Sequence, residues 1–426
     1  MFFYFIFLKY LLNSVSSISL IKIPFSKRIS EDLMENLFNI DIITNVSLGN
    51  PPQQIQLSFS FHSESILIKG SLFNSQYNEK KSINSKPLNV SGNSFYYDQY
   101  YKTEFIYDDF IFEVSDNNKI SKKKLERCLF QLINTTSIEN KINSGVIGLK
   151  IFGIVKYNDN FIEQIYKYHV INNKIFFIEY INDNNGFIYF GELPHIYDNK
   201  TYDEKYYVKT PNEYFGRWKL NFDKIIVNEK QISLDDKISG KFDFKIKGII
   251  GDIYFKCNLN DNFFMKYIKD NICFSESYSL DNKNNITIYK CKQNLNIKSF
   301  PKISFYQKDF NYTFEFEGKE LFIKDKNNNY IFLISFYDSH SGDLILGEIF
   351  LKKYKLIIEY NYKMIGFYTK IKDKSSLNIK DYLTLIVFII MIIIIILLIY
   401  FLIKSHRNKR KIRANELEDN YEYFPN

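Results

Sequence analysis

The chain has 426 residues, of which 46% are hydrophobic and 18% aromatic, enough material for two domains with large cores. Its formal charge of +8 is concentrated in the run from Lys404 to Arg413 and the rest is nearly balanced, which argues against a nucleic-acid-binding protein. Asn-rich stretches at 183–185 and 325–329 read as surface loops.

Residues 1–19 open with an apolar stretch, 2–12, interrupted by Lys9 and followed by small residues; they are expected to be a cleaved signal peptide. The texture then turns to β. Strands are predicted at 45–48, 55–61, 65–69, 105–112, 174–181, 187–190, 224–227, 303–305, 312–316, 321–324, 330–335, 356–359 and 364–369. Clusters of Asn, Asp, Gly and Pro separate them. Helical periodicity is clearest at 161–168 and 262–269. Many short strands with turns between predict a large all-β body. Residues 382–403 carry no charge, and at about 1.5 Å per residue they span roughly 33 Å, enough to cross a bilayer. The basic run that follows predicts a cytoplasmic tail, 404–426, and a luminal or extracellular body. The expected setting is the secretory pathway or the cell surface, with a single pass.

Cys128, Cys257, Cys273 and Cys291 fall in the luminal part, where disulfides persist, and four cysteines allow three pairings. Asn45, Asn89, Asn134, Asn199, Asn285 and Asn311 head glycosylation sequons. The histidines, His62, His169, His195, His340 and His406, are scattered without metal-ligand spacing, so no metal and no cofactor are expected.

Several motifs follow one another in a telling order. Val46-Ser47-Leu48-Gly49-Asn50-Pro51-Pro52-Gln53-Gln54 resembles the opening strand and turn of the pepsin-like aspartic proteases. Gly145-Val146-Ile147-Gly148-Leu149 and the stretch from Gly186 to Gly191 resemble later segments of that family. So do Trp218-Lys219-Leu220-Asn221-Phe222, Leu344-Ile345-Leu346-Gly347 and Ile365-Gly366-Phe367. Leu20-Ile21-Lys22-Ile23-Pro24 resembles the first residues of a pepsin-like pro-segment. The resemblance implies an all-β, bilobal fold with two similar barrel lobes around a cleft. It divides the chain into a short pro-like segment (20–36), an N-terminal lobe (37–205), a C-terminal lobe (206–372) and the transmembrane helix.

The chemistry that the resemblance implies needs two carboxylates, one from each lobe, sharing a proton across a water. One ionised carboxylate takes a proton from the water while the other polarises the scissile carbonyl. Each acid of the family begins an Asp-Thr-Gly motif, whose threonine ties the two loops together. Counting forward from the Pro-Pro turn, the first acid's position falls on Ser60, with Phe61 for threonine and His62 for glycine. The nearest acid is Glu64. Counting back from 259–264, which resembles the family's helix start, the second position falls on Gly251, with Asp252 one place late as a fallback. A serine hydroxyl does not titrate near neutral pH and cannot share a proton as a carboxylate does. Ser60 and His62 lie two apart, but their spacing supplies neither an orienting acid nor an oxyanion hole.

By the same resemblance Tyr96 takes the place of the flap tyrosine that closes over substrate, and Cys273 pairs with Cys291. Tyr421 and Phe424 in the tail resemble a sorting signal read by adaptor proteins. The expected function is that of a membrane-anchored, catalytically inactive homologue that binds a peptide or protein in its inter-lobe cleft. The alternative is an active aspartic endopeptidase using Asp252 and a second acid not yet placed.

Overall fold

The computed structural model describes residues 20–73, 77–96, 99–116, 119–133, 142–151, 160–214, 216–232, 238–279, 285–338, 343–371 and 379–421. The signal-peptide stretch, Asn134, His340 and Phe424 lie outside these residues. The chain forms two compact units, Met1–Lys370 and Ile371–Asn426.

The first ten strands of the larger unit are β1 (Ile21–Arg28), β2 (Asp41–Leu48), β3 (Gln53–Ser60), β4 (Ile66–Lys69), β5 (Lys86–Tyr96), β6 (Gln99–Asp116), β7 (Lys119–Ile133), β8 (Gly145–Gly148), β9 (Ile175–Tyr180) and β10 (Asn185–Phe190). The next eight are β11 (Tyr207–Pro211), β12 (Lys219–Phe222), β13 (Lys224–Val227), β14 (Lys230–Gln231), β15 (Ile238–Phe242), β16 (Ile249–Gly251), β17 (Cys273–Ser279) and β18 (Asn285–Cys291). The last are β19 (Ile303–Gln307), β20 (Tyr312–Phe316), β21 (Phe322–Lys324), β22 (Tyr330–Phe332), β23 (Ile334–Tyr337), β24 (Asp343–Leu346), β25 (Ile357–Glu359) and β26 (Met364–Tyr368).

They build three sheets. The largest runs β11-β26-β25-β9-β10-β1-β2-β3-β8-β4-β7-β6-β5, and β2 also pairs with β6, which curls that end into a barrel. A nine-stranded sheet runs β12-β15-β24-β16-β23-β18-β22-β21, with β17 paired to β18. The smallest is β14-β13-β19-β20. Because β11, β25 and β26 join β9, β10 and β1, both halves of the chain share one sheet.

Local sequence explains the strands that position the site. On β3, Ile55, Leu57 and Phe59 are buried while Gln54 and Gln56 are exposed, the period-2 pattern of a half-covered strand. Its last residues, Ser58 to Ser60, are buried on both faces, so β3 ends inside the molecule. The turn before it needs Gly49, whose φ is +80° and whose added Cβ would lie 2.8 Å from Ser82 Cβ. Ser82 Oγ donates to Asp108 Oδ1 at 2.9 Å and Tyr77 donates to Oδ2 at 2.8 Å, so this fully buried acid is a structural anchor. In the second half, Phe314 packs with Phe350 (5.1 Å between centroids) and Tyr354 (4.7 Å) at the heart of an aromatic core.

Helices are short. They include α1 (Leu33–Phe38), α2 (Phe161–Lys167), α3 (Ile253–Leu259) and α4 (Glu348–Tyr354). The helix expected at 262–269 begins earlier: α3 continues through a π turn, Asn260–Phe264, into Met265–Lys269. The residues read as a pro-like segment supply β1, a central strand of the largest sheet, and most of α1. Cys273 and Cys291 face each other across the β17–β18 hairpin and are disulfide-bonded. Cys128, which is buried, and Cys257, which is exposed, take no part in a disulfide. The sequon asparagines at 45, 89, 199, 285 and 311 are exposed.

The smaller unit contains α5 (Ile379–Tyr421). Its segment Ile389–Arg410, apolar up to the basic run that begins at Lys404, is long enough to cross a membrane. Tyr421 closes this helix.

Candidate functional site

The strand register identifies which residues the two halves bring to the centre. β3 runs parallel to β8, with Ser60 opposite Gly148. In the second half β15 runs parallel to β24, with Phe242 opposite Leu346, so the next residue, Asp243, stands opposite Gly347. The loops that follow repeat the same bonds. Gly148 N donates to Ser65 O at 3.2 Å, and Gly347 N donates to Gly248 O at 2.9 Å, five residues beyond Ser60 and Asp243 respectively. Both glycines are required by close approach. A Cβ on Gly148 would sit 2.4 Å from Ser63 O, and one on Gly347 would sit 2.1 Å from Ile246 O.

Ser60 and Asp243 are therefore the equivalent residues of the two halves. Asp243 is the central residue that counting along the sequence missed. The count assumed a helix starting near 260, whereas the helical run starts at Ile253, and it landed on Gly251, eight places late. Gly251 ends β16 against Phe255 and Phe336. Asp252 caps α3, its Oδ1 accepting from Phe255 N at 2.9 Å. Glu64, the other acid considered, pairs with Lys150 at 3.0 Å.

Each central residue is followed by a phenylalanine, and the two rings meet. Phe61 and Phe244 stack with centroids 4.2 Å apart and planes 25° from parallel. One step further stand His62 and Lys245. His62 Nε2 lies 3.0 Å from Asp243 Oδ2, in a side chain one quarter exposed facing one that is buried. The Ser60 hydroxyl oxygen accepts from the backbone N–H of His62 at 3.0 Å. Lys245 Nζ lies 3.4 Å from Asp41 Oδ1, while Asp41 Oδ2 accepts from Asn143 at 2.7 Å.

The hairpin β5–β6 brings Tyr96 into this cluster. Tyr96 is 1% exposed and shares a hydroxyl–hydroxyl hydrogen bond with Ser60. Lys245 Nζ sits over its ring, 5.8 Å from the centroid. Burial pushes the Tyr96 phenol well above its ordinary range, and the charges of Asp41 and Asp243 push the same way. It stays a neutral phenol.

The centre thus holds one carboxylate, Asp243, facing an imidazole, with a hydroxyl where a second carboxylate would complete a proton-sharing pair. Among the described residues, no group of three or more His, Cys, Asp or Glu could hold a metal ion. A cavity of about 590 Å³ lies elsewhere, lined by Ile297, Phe300, Lys302, Glu317 and Tyr330 among others, and includes none of these central residues.

Residues 42–370 match the family model described as eukaryotic aspartyl protease. No curated protein matches the sequence. Among solved structures, Basic 7S globulin from soybean superposes with a TM-score of 0.62 at 12% identity, covering 83% of this chain and 96% of that one. At that identity the likeness establishes the shared two-lobed fold.

Proposed function

Because the chain belongs to the eukaryotic aspartyl protease family, we propose that it is a non-proteolytic member, anchored by one helix, that binds a peptide or protein partner in the cleft between its lobes. The observation that carries this reading is the pairing of Ser60 with Asp243 across the symmetry of the two lobes. One ionised carboxylate cannot both take a proton from water and donate one to the scissile carbonyl. Losing half of such a unit costs several orders of magnitude in rate. His62 supports the reading further, because it occupies Asp243 Oδ2.

The basic run after the apolar helix supports a cytoplasmic C-terminus and a luminal or extracellular body on the secretory route. A cleft in this position suits an extended peptide, with Tyr96 displaced on binding.

Full-length protein in detergent, incubated with a broad peptide library between about pH 3 and 7, tests the reading over the range where carboxyl pairs of this type work. The expected result is no cleavage, together with enriched peptides whose affinity changes with Tyr96→Phe, which removes the phenol's bond to Ser60. Cleavage that pepstatin blocks and Asp243→Ala abolishes would overturn it.

A further inference from the structure

The N-terminal residues lie deep in the structure, and what could replace them there is limited. β1 lies inside the largest sheet, pairing with β10 from Ile21↔Phe190 to Ser26↔Asn185 and with β2 from Ser26↔Ile43 to Arg28↔Asp41. Ile21, Ile23 and Phe25 are buried. Phe25 fills the space left by Gly186, where an added Cβ would lie 2.6 Å from the ring. Lys27 reaches Glu348 at the start of α4, 2.6 Å away, and both side chains are under a tenth exposed. Glu348 Oε2 has no hydrogen-bond partner among the described atoms, so Lys27 supplies the compensation for this buried carboxylate.

The chain then crosses to the second lobe. Leu37 and Phe38 of α1 pack among Ile246, Ile250, Ile288 and Leu333. Lys247 N donates to Leu37 O at 2.8 Å and Ile40 N donates to Lys245 O at 2.9 Å, directly beyond Asp243. At Asp41 the chain returns to the first lobe as β2.

From this we infer that residues 21–40 are a permanent strap tying the two lobes together, and that the protein works without shedding them. The link from Ile29 to Asp32, exposed at Ile29, Glu31 and Asp32, is where a protease would reach the chain; Ile29 is 61% exposed. A cut there leaves upstream of β2 only the residues of α1, already committed to the second lobe. β1 occupies eight residues of sheet, and those remaining residues cannot refill it without abandoning the core they occupy.

Two measurements on the full-length chain test the strap. The first is the N-terminal sequence of the protein isolated from its own cells. A start at or before Ile21 is expected; a start between Ile29 and Asp41, with no peptide containing Ile21–Arg28 co-purifying, would overturn the inference. The second replaces Ser30 and Glu31 with a specific protease site, cuts it, and passes the detergent-solubilised protein through gel filtration. Fragment and body are expected to travel together and melt in one transition, and Phe25→Ala in the nicked chain should speed fragment release at least tenfold. Release of the fragment from the nicked chain with an unchanged melting temperature would make it a detachable pro-segment. These readouts do not depend on peptide binding in the cleft.

Discussion

A helix cap and a would-be catalytic acid make different demands on the same carboxylate, and Asp252 meets the first. Its Oδ1 satisfies Phe255 N at the start of α3. Asp252→Ala is therefore expected to lower stability by about 1 kcal/mol through loss of the cap, with peptide binding unchanged. Denaturant titration beside a binding assay checks this. The Phe61–Phe244 stack makes a second demand visible. Where the family places threonines, two rings hold the loops together. A double-mutant cycle with Phe61→Leu and Phe244→Leu should return a coupling of about 1 kcal/mol, measured by chemical denaturation. Additive losses would mean that the rings only fill space. These replacements also explain why the second central residue was not legible in the sequence. Ser60-Phe61-His62 and Asp243-Phe244-Lys245 share the phenylalanine but neither keeps threonine or glycine, so Asp243 stands out only once the register of β15 on β24 is known.

Among elements, those with alternating or continuous apolar residues were the readable ones. The strands expected at 55–61, 224–227 and 312–316 coincide with β3, β13 and β20 to within two residues. β7 was not expected, because Lys119 to Lys124 face solvent and the strand is held there by its long pairing with β6. β15 was hidden for another reason: Ser239 and Gly240 are small rather than apolar, as close packing on β24 demands. That pairing carries a pH dependence. Asp343, opposite Ser239, is partly desolvated, which raises its carboxyl pKa, but Lys219 at 2.8 Å and the Ser239 hydroxyl outweigh this and hold it below its ordinary 3.8. A carboxyl depressed in the folded state stabilises the fold above its unfolded value, and that contribution disappears as pH falls through the folded one. Melting curves from about pH 6 to pH 2 should show Asp343→Asn less stable than the parent at the upper end and converging with it at the lower end.

For the whole molecule, the two lobes are joined by more than the cleft residues. The shared platform of β11, β26, β25, β9, β10 and β1 takes strands from both halves, so the lobes are expected to unfold together. The Cys273–Cys291 bridge closes a loop with a separation of 18 residues in the second lobe. Replacing both cysteines with serine should cost about 3 kcal/mol, read as a lower melting temperature of the single transition. Two separate transitions would instead show lobes that melt independently. The bilobal plan was legible from the order of the motifs along the chain. The shared place of β1 was not, because nothing local distinguishes a strand that stays from one that leaves.

The chain has a single tryptophan among 34 tyrosines. Trp218 is 2% exposed, and its indole N–H donates to Leu149 O at 2.9 Å, one residue beyond the glycine opposite Ser60. Leu149 N in turn donates to Ser60 O at 2.8 Å. Excited at the red edge, where phenols do not absorb, its fluorescence reports on one place only, the seam beside the central residues. Any ligand that pries this seam open should shift the emission toward longer wavelengths without a dye or a label, which gives a natural optical gauge for the partner search.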